Sequence, residues 1–283
     1  LPAGSVQRIF RVGFFPSSVA FVAASALGVG VGNAVITVDD TADLDAAAEK
    51  IRLSKTLDLA ASCSSDNAVV LLDDIYEPML EKLKAQGGYL CNEEEKAALR
   101  STLWDDELHI NTAMVAQPPK KIAQMAGLSI PEGVNFFIVP EDGWGTAHPF
   151  SGEKLSVIMA LYRARDIDHA IELTQNIQAY QGQGHSCGIY STSDANIMKL
   201  AEHTYTSRVM VNQPQSASNS GNVWNGMRQT FSLGCGSWGG NGTNNNISWR
   251  DLINETWVSM PLMEHKVIPS DDELFGDVIN QLG

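Results

Sequence analysis

A cysteine in a polar loop is the first feature of the sequence that suggests chemistry. Cys63 stands in a run of small and polar residues, Ser-Cys-Ser-Ser-Asp-Asn at positions 62–67. Structural cysteines usually lie among apolar neighbours, whereas a reactive thiol needs an accessible, polarised setting that favours the thiolate. The pattern makes Cys63 a candidate nucleophile, with an unreactive surface thiol as the alternative. Cys91, Cys187 and Cys235 have no such surroundings.

A histidine preceded by flexible backbone is a second candidate. His185 follows Gly-Gln-Gly at positions 182–184 and precedes Ser186 and an apolar segment. The glycines would let the imidazole face a cleft and act as an acid or a base, and a purely structural histidine is the alternative. The other histidines show no ligand spacing, and neither Cys-X-X-Cys nor His-Glu-X-X-His occurs. The sequence therefore predicts no metal site.

Two glycine-rich runs admit more than one interpretation. Residues 28–33, Gly-Val-Gly-Val-Gly-Asn, have the spacing of a phosphate-binding loop. Such a loop follows a strand and opens a helix, whereas here the glycines lead into a β-branched apolar segment. A close approach of the backbone to another segment is the favoured interpretation. Residues 234–241, Gly-Cys-Gly-Ser-Trp-Gly-Gly-Asn, form either a tight turn or the lining of a ligand tunnel.

Alternating strands and helices must position these residues. Apolar, β-branched runs predict strands at 34–38, 68–72, 136–139, 156–162, 187–190 and 209–212. Apolar residues at helical intervals predict helices at 39–53, 77–86, 119–126, 166–180 and 194–205, with a short one from 271 onwards. The polar residues 212–226 predict a long loop. This alternation predicts an α/β fold with a mainly parallel sheet covered by helices on both faces.

Length, charge and composition limit the class of protein. The chain has 283 residues, 44% hydrophobic and 18% charged, which suits a globular protein and excludes a disordered chain or a coiled coil. Its net charge of −14 would repel nucleic acid. Four irregularly spaced cysteines make no disulfide scaffold, so a reducing, cytoplasmic location is expected. Residues 12–38 are uncharged, but their Pro, Ser, Gly and Asn content favours buried strands over a membrane span.

Taken together, the motifs resemble the CoA-acylating branch of the aldehyde dehydrogenase superfamily, from about residue 27 to residue 254. Each motif is weak alone, but their order along the chain is specific. They are the runs 28–33, 40–44, 54–56, 62–65, 153–156, 184–186, 208–212 and 233–241. The run 62–65 is most similar to family members that act on succinate semialdehyde or sulfoacetaldehyde.

The resemblance implies a reaction and roles for three residues. Cys63 would attack an aldehyde carbonyl, NAD or NADP would accept the hydride, and CoA would take the acyl group from a thioester on Cys63. His185 matches the family's Gly-His motif and is a candidate acid, base or thiol-positioning group. Glu153 matches the glutamate that hydrogen-bonds the nicotinamide ribose. The glutamate with which hydrolytic relatives activate water aligns with Val29, so a thiol rather than water is expected to accept the acyl group.

The expected substrate class depends on one further residue. An anionic aldehyde would need a fixed cation, and Arg228 is the candidate, with an ordinary solvated arginine as the alternative. Two other functions remain open beside the acylating enzyme. One is a truncated, non-catalytic assembly module with the same fold, and the other is a hydrolytic aldehyde dehydrogenase.

The resemblance also implies how the chain is organised. Residues 1–26 would lead out of a cofactor-binding domain that lies largely upstream, residues 27–236 would form the catalytic thiol domain, and residues 237–283 would return to the cofactor domain or serve as an oligomerisation arm. The expected partners are a small aldehyde and CoA, with no nucleic acid and no membrane. The expected assembly is a homodimer or a homotetramer.

Overall fold

The computed structural model describes residues 13–14, 30–260 and 269–282. The chain divides into two compact units, one of residues 18–252 and one of the two ends, 1–17 with 253–283. In the unit made by the ends, Gly13–Phe14 pairs antiparallel with Asn254–Glu255, and Asp271–Leu282 forms the helix expected there. Within the described residues, no helix has the length and apolar character needed to cross a membrane.

A seven-stranded, entirely parallel sheet forms the centre of the larger unit. In spatial order the strands are β3-β4-β5-β2-β1-β6-β7. Along the chain they are Ala34–Val38 (β1), Asp66–Leu72 (β2), Gly88–Leu90 (β3), Phe136–Pro140 (β4), Ile158–Ala164 (β5), Cys187–Tyr190 (β6) and Val209–Val211 (β7). The parallel α/β sheet predicted from the sequence is confirmed.

Helices connect the strands of this sheet. They are Leu44–Thr56 (α1), Tyr76–Ala85 (α2), Glu93–Leu103 (α3), Pro119–Ala126 (α4), Ile167–Tyr180 (α5), Asp194–His203 (α6) and the short Gln215–Ser218 (α7). The last of these lies inside the segment predicted to be a long loop. The larger unit continues to Leu252, past residue 236, and the functional division of the chain stays a prediction.

Burial of both faces explains why the central strands are almost continuously apolar. Every residue of β1 and β2 is buried, although successive side chains of a strand point to opposite faces. Helices must therefore cover the sheet on both sides, as in other parallel sheets. The largest apolar side chains of this core include Phe136, Phe137 and Phe150.

Local capping accounts for the two main differences from the predicted elements. Helix α1 starts at Leu44 rather than at residue 39, because the Asp43 carboxylate accepts a hydrogen bond from the Ala46 N–H and caps the helix there. Helix α3 and strand β3 were not predicted. The signal for α3 was a capping box, in which Asn92 and Glu95 satisfy each other's backbone N–H groups.

The segments that carry the candidate residues all lead into the sheet at the amino ends of its strands, which lie along one side of the sheet. Cys63 shortly precedes β2, Glu153 precedes β5 and His185 precedes β6, while the described part of the first glycine run, from Gly30, precedes β1. Because the strands are parallel, their amino ends share an edge. The sheet thereby brings together residues that lie far apart in the sequence.

Candidate active site

The loop that carries Cys63 is a tight turn fastened at both ends. The Ser65 N–H donates to the Ser62 carbonyl at 3.0 Å, and the hydroxyls of Ser62 and Ser64 lie 2.9 Å apart. Asn67, the second residue of β2, accepts a hydrogen bond from the backbone N–H of Lys154 at 3.1 Å. Cys63 is partly exposed, whereas Cys91, Cys187 and Cys235 are buried. Its thiol is therefore presented at the edge of the sheet on a fixed backbone.

His185 contacts that thiol directly. Its Nε2 atom lies 3.2 Å from the Cys63 Sγ, and its Nδ1 lies 2.9 Å from the Ser186 hydroxyl oxygen. The His185 backbone N–H donates to the Gly182 carbonyl at 3.1 Å, so the glycine-rich segment turns tightly before β6. When Nδ1–H donates to Ser186, the lone pair of Nε2 faces the thiol. The structure thus brings together the candidate nucleophile and the candidate acid, base or thiol-positioning group that the sequence indicated.

Both members of this pair are neutral at physiological pH. Burial, reinforced by the positive charge of Arg208, lowers the pKa of His185 to about 4. Burial and the neighbouring Glu153 and Cys235 raise the pKa of Cys63 to about 11, against an opposing effect of Arg208. The pair is therefore a thiol beside an unprotonated imidazole, and not a preformed thiolate–imidazolium pair.

The glycine-containing segment before β1 passes between the segments that carry Cys63 and His185. Because it has no side chain at Gly32, it does not keep these two residues apart. In the sheet, β1 lies between β2 and β6, so the backbone at Gly32 runs between the segments of Cys63 and His185. A Cβ atom on Gly32 would lie 2.1 Å from the Cys63 carbonyl oxygen, and one on Gly182 would lie 2.0 Å from the Gly32 carbonyl oxygen. Only backbone fits there, which agrees with the interpretation of this run as a close approach.

The side chain of Glu153 lies next to Gly32, where these segments pass one another. Its Oε1 atom is 2.3 Å from the position that a Cβ on Gly32 would occupy, and this oxygen is buried with no hydrogen-bond partner among the described residues. Burial raises the pKa of Glu153 to about 7, although the Gly32 N–H and the buried Lys154 and Lys55 favour the carboxylate. The orphaned oxygen suits a hydroxyl donor supplied by a ligand.

Three buried ionisable residues near the site were not singled out by the sequence analysis. Lys55, Lys154 and Asp66 are fully buried. The ammonium group of Lys154 donates to the carbonyls of Phe150 and Gly152 at 2.6 and 2.8 Å. The two lysines were present only as members of the family-like runs 54–56 and 153–156, and Asp66 only as part of the polar run 62–67, because charged residues are usually assigned to a solvated surface.

The pKa values of the other two residues of this group, Lys55 and Asp66, are both shifted towards neutral pH. Burial lowers the pKa of Lys55 to about 7, and burial raises the pKa of Asp66 to about 7. One oxygen of Asp66 accepts from the Ser54 hydroxyl at 2.7 Å, while its other oxygen and the Lys55 ammonium find no partner within the described chain. Of this group, Lys154 and Lys55 act on the pKa of Glu153, and both lower it.

The second glycine-rich run forms a tight turn beside the site. The Gly239 N–H donates to the Cys235 carbonyl at 3.2 Å, and the Asn241 N–H donates to the Gly236 carbonyl at 2.8 Å. The turn borders a small cavity of about 280 Å³. Of the two interpretations of residues 234–241, the structure shows the turn.

Among the described residues, Arg228 is one predicted residue that the structure does not bring into contact with Cys63 and His185. The Arg228 guanidinium lies 3.8 Å from the Asp251 carboxylate and is half exposed, and in the described part of the chain it makes no hydrogen bond to Cys63 or His185. Its role in binding substrate stays a prediction. Val29, the position aligned with the water-activating glutamate, lies outside the described residues.

A second polar cluster lies at the opposite, carboxyl edge of the sheet. A cavity of about 590 Å³ there is bordered by Glu141 and His148, whose ligand atoms lie with one of Asp142 within 4.8 Å of one another. The Lys96 ammonium is 3.2 Å from the Glu141 carboxylate and donates to the Pro140 carbonyl at 2.7 Å. Lys96 thus already supplies the positive charge that this buried carboxylate requires.

A parallel α/β fold thus places a thiol against a neutral imidazole, the two groups that covalent catalysis by cysteine requires. The chain is 40% identical over 260 residues to a sulfoacetaldehyde dehydrogenase (acylating) of Cupriavidus necator, covering 91% of this chain and 52% of that protein. A sulfoacetaldehyde dehydrogenase (acylating) of Bilophila wadsworthia is 37% identical over 262 residues, with 91% and 56% covered. No family model matches the sequence.

The fold shows the same relationship. The crystal structure of an acetylating aldehyde dehydrogenase from Geobacillus thermoglucosidasius matches with a TM-score of 0.82 at 31% identity, covering 89% of this chain and 56% of that one. The relatives of the chain in sequence and in fold are thus acylating aldehyde dehydrogenases, which confirms the resemblance and the fold class predicted from the sequence. It spans about half the length of the relatives that it matches.

Proposed function

We propose that the protein containing this chain converts an aldehyde, CoA and NAD(P)⁺ into acyl-CoA and NAD(P)H through a thioester on Cys63. The observation that carries the proposal is the 3.2 Å approach of His185 Nε2 to the Cys63 Sγ. Nucleophile and base are within reach of each other, and the base is fixed through Ser186. The family relationship supports the same reaction.

The residues divide the proton and bonding changes between them. As the Cys63 sulfur attacks the carbonyl carbon, its proton passes to Nε2 of His185, because the thiol is protonated at neutral pH and needs a base at the moment of attack. A nicotinamide cofactor would accept the hydride of the aldehyde carbon, which leaves the acyl group as a thioester on Cys63, and His185 would release its proton to solvent, consistent with its low pKa. The thiol of CoA would then attack the acyl carbon and give its proton to the free Nε2, and His185 would return this proton to the Cys63 sulfur as its bond to the acyl carbon breaks.

The site fits the nicotinamide cofactor at Glu153. Its buried Oε1 lacks a hydrogen-bond donor within the described chain, and a ribose hydroxyl is a donor of the required kind. Lys154 and Lys55 favour the ionised carboxylate that would accept this bond, although burial still raises the pKa of Glu153 to about 7. Whether NAD or NADP is preferred depends on the adenosine side of the site, which the resemblance places upstream.

A hydrolytic reaction is the second candidate, because Glu153 lies close enough to raise the pKa of Cys63. A carboxylate with a pKa of about 7 would serve as a base for water. The relatives' acylating names favour CoA. Measuring NAD(P)H formation with and without CoA separates the two, since only hydrolysis turns over many times without the thiol acceptor.

For the substrate we propose a short aldehyde with an anionic tail. The two relatives named above are sulfoacetaldehyde dehydrogenases, and the run 62–65 resembles members specific for sulfoacetaldehyde or succinate semialdehyde. Arg228 remains the proposed cation, which would have to exchange its 3.8 Å contact with Asp251 for the substrate. A tenfold or greater preference of kcat/KM for sulfoacetaldehyde over acetaldehyde, reduced in Arg228→Met, is expected.

The wider setting is proposed on the same basis. The protein acts in the cytoplasm as a homodimer or homotetramer, with residues 27–236 as its thiol domain and residues 237–283 as the arm that returns towards the cofactor domain. A non-catalytic module of the same fold is the alternative. Addition of NAD(P)⁺ raises the melting temperature of an enzyme that binds it and leaves that of such a module unchanged.

Replacement of Cys63 tests the proposal directly. In the full-length protein that contains these 283 residues, Cys63→Ala and Cys63→Ser should abolish acyl-CoA formation. Cys187→Ala is the matched control, because that thiol is fully buried and contacts Thr204 and Thr206 rather than His185. Turnover that survives in Cys63→Ala would overturn the proposed role.

A further inference from the structure

Arg208 is a buried cation beside the thiol site. It immediately precedes Val209, the first residue of β7. It is 5% exposed. Its Nε donates to the Asn246 side chain at 2.8 Å, and its two terminal nitrogens donate to the carbonyls of His185 at 2.9 Å and Gly234 at 2.6 Å. All of these acceptors are neutral, and among the salt bridges of the described residues none involves Arg208.

A guanidinium without a carboxylate partner is costly to bury. Carbonyl and amide oxygens satisfy its hydrogen-bonding groups, but they do not cancel its charge. Two further carbonyls, of Asn244 and Asn245, lie 3.4 Å from the same terminal nitrogen that holds Gly234. Because the group is enclosed by the protein's own backbone, a substrate anion is not its partner. Its positive charge acts instead on the neighbouring groups of the thiol site, Cys63 and His185.

We infer that Arg208 is a positioning residue of the thiol site: it fixes the backbone of His185 and supplies the uncompensated positive charge that favours a thiolate on Cys63. This inference rests on the proposed nucleophilic role of Cys63. It is separate from the roles of the residues that contact the reacting atoms.

The contacts of Arg208 join three segments into one rigid unit. It links the turn at His185, the start of β7 and the run 234–246. The same segments are already in tight contact, because a Cβ on Gly184 would lie 2.1 Å from the Cys235 carbonyl oxygen. Movement of any one segment would carry the imidazole away from the thiol.

The electrostatic part of the inference agrees with the titration of the neighbours. Burial is the largest cause of the raised pKa of Cys63, and Arg208 acts in the opposite direction. For His185, burial and Arg208 both lower the pKa, so the imidazole stays free to accept a proton. One buried charge thus favours the reactive form of both partners.

The rate at which iodoacetamide alkylates Cys63, followed by mass spectrometry of its peptide over pH 7 to 10, tests the inference. Arg208→Met should shift the profile to higher pH, with alkylation about tenfold slower at pH 8, since loss of a nearby opposite charge raises a pKa by about one unit. Arg208→Lys keeps the charge and should retain most of the parent profile. Arg163→Met, at the opposite edge of the sheet, is the control and should leave the profile unchanged.

A second variant covers the case in which Arg208→Met does not fold. Asn246→Asp keeps the acceptor of the Arg208 Nε and places a compensating carboxylate against the guanidinium, so it should also slow alkylation at pH 8. It loses the hydrogen bonds that the Asn246 amide donates to the carbonyls of Asn219 and Arg228, so circular dichroism must first show that it is folded. An unchanged profile in the folded variants, or equal losses in Arg208→Lys and Arg208→Met, would overturn the inference. Neither result depends on aldehyde turnover, so the Cys63→Ala experiment still decides the proposed function by itself.

Discussion

The Nε2 atom of His185 lies 3.2 Å from the Cys63 Sγ, although 122 residues separate the two in the sequence. The strands that follow them, β6 and β2, are not neighbours, because β1 lies between them. Strands separated by one other are about 10 Å apart, so both loops must reach across the start of β1. They do so over Gly32, where no side chain obstructs the approach.

The neutral state of this pair predicts how the reactivity of Cys63 depends on pH. Because the pKa of Cys63 is raised to about 11, the thiolate fraction and the rate of alkylation by iodoacetamide should increase about tenfold per pH unit between pH 7 and 10. Because the pKa of His185 is lowered to about 4, no step should appear near pH 6.5. Cys63→Ala gives the background from the buried thiols. A plateau below pH 8 would show a preformed ion pair and contradict this description.

Glu153 should affect the thiol and the cofactor in opposite directions. Its charge contributes to the raised pKa of Cys63, so Glu153→Gln should speed alkylation at pH 8 severalfold. The same change removes a proposed acceptor for the ribose and should raise the KM for NAD(P)⁺ about tenfold or more. Glu141→Gln, a buried glutamate at the other edge of the sheet, is the matched control for the alkylation rate. Slower alkylation in Glu153→Gln would show that its charge does not act on the thiol.

Local patterns in the sequence were sufficient to predict most of the fold. The strand Cys187–Tyr190 and the helix Pro119–Ala126 were predicted with their observed bounds, because periodicity and flanking residues act over a few positions. Strand β3 was missed because it has only three residues, Gly88–Leu90, and lies at the edge of the sheet. The capping residues around α3 were readable but were not used.

The candidate site was only partly predictable, because burial and pairing depend on tertiary structure. The polar loop at Cys63 and the glycines before His185 marked the two residues, and their meeting follows from parallel strands that share an edge. Nothing local distinguishes Arg208 from a surface arginine, since its acceptors come from residues 185, 234 and 246. The same holds for Lys55, which is fully buried and whose charged neighbours, Asp66 in β2 and Glu153 before β5, come from distant parts of the sequence.

Replacement of Lys55 should stabilise the fold, most strongly at low pH. Its pKa is about 7 in the folded state and 10.5 in its ordinary state, so folding carries the full cost of burying this charge below about pH 7 and loses that cost as the pH rises to about 10.5. Lys55→Met should therefore raise the free energy of unfolding by about 1–3 kcal/mol at pH 6 and by less at pH 9. Urea unfolding at both pH values measures this.

The control for that experiment is a lysine on the same helix. Lys50, also in α1, is partly exposed, so Lys50→Met should change the free energy of unfolding by less than about 0.5 kcal/mol at either pH. A larger stabilisation by Lys55→Met at pH 9 than at pH 6 would reverse the expected sign. It would mean that Lys55 is paired with Asp66 and Glu153 strongly enough to be charged without penalty.

A single methyl group at Gly32 should separate the two residues of the site. The added Cβ would lie 2.1 Å from the Cys63 carbonyl oxygen and 2.3 Å from Glu153 Oε1, closer than non-bonded atoms approach, so the backbone at Gly32 or Cys63 must move together with the Glu153 side chain. Because Cys63 is held to His185 by a contact of only 3.2 Å, Gly32→Ala should reduce aldehyde turnover at least a hundredfold. Gly276→Ala, where a Cβ meets nothing within 4 Å, is the control and should retain full turnover. Circular dichroism should show both variants folded, and near-parent activity in Gly32→Ala would mean that the crossing at β1 does not determine the geometry of the pair.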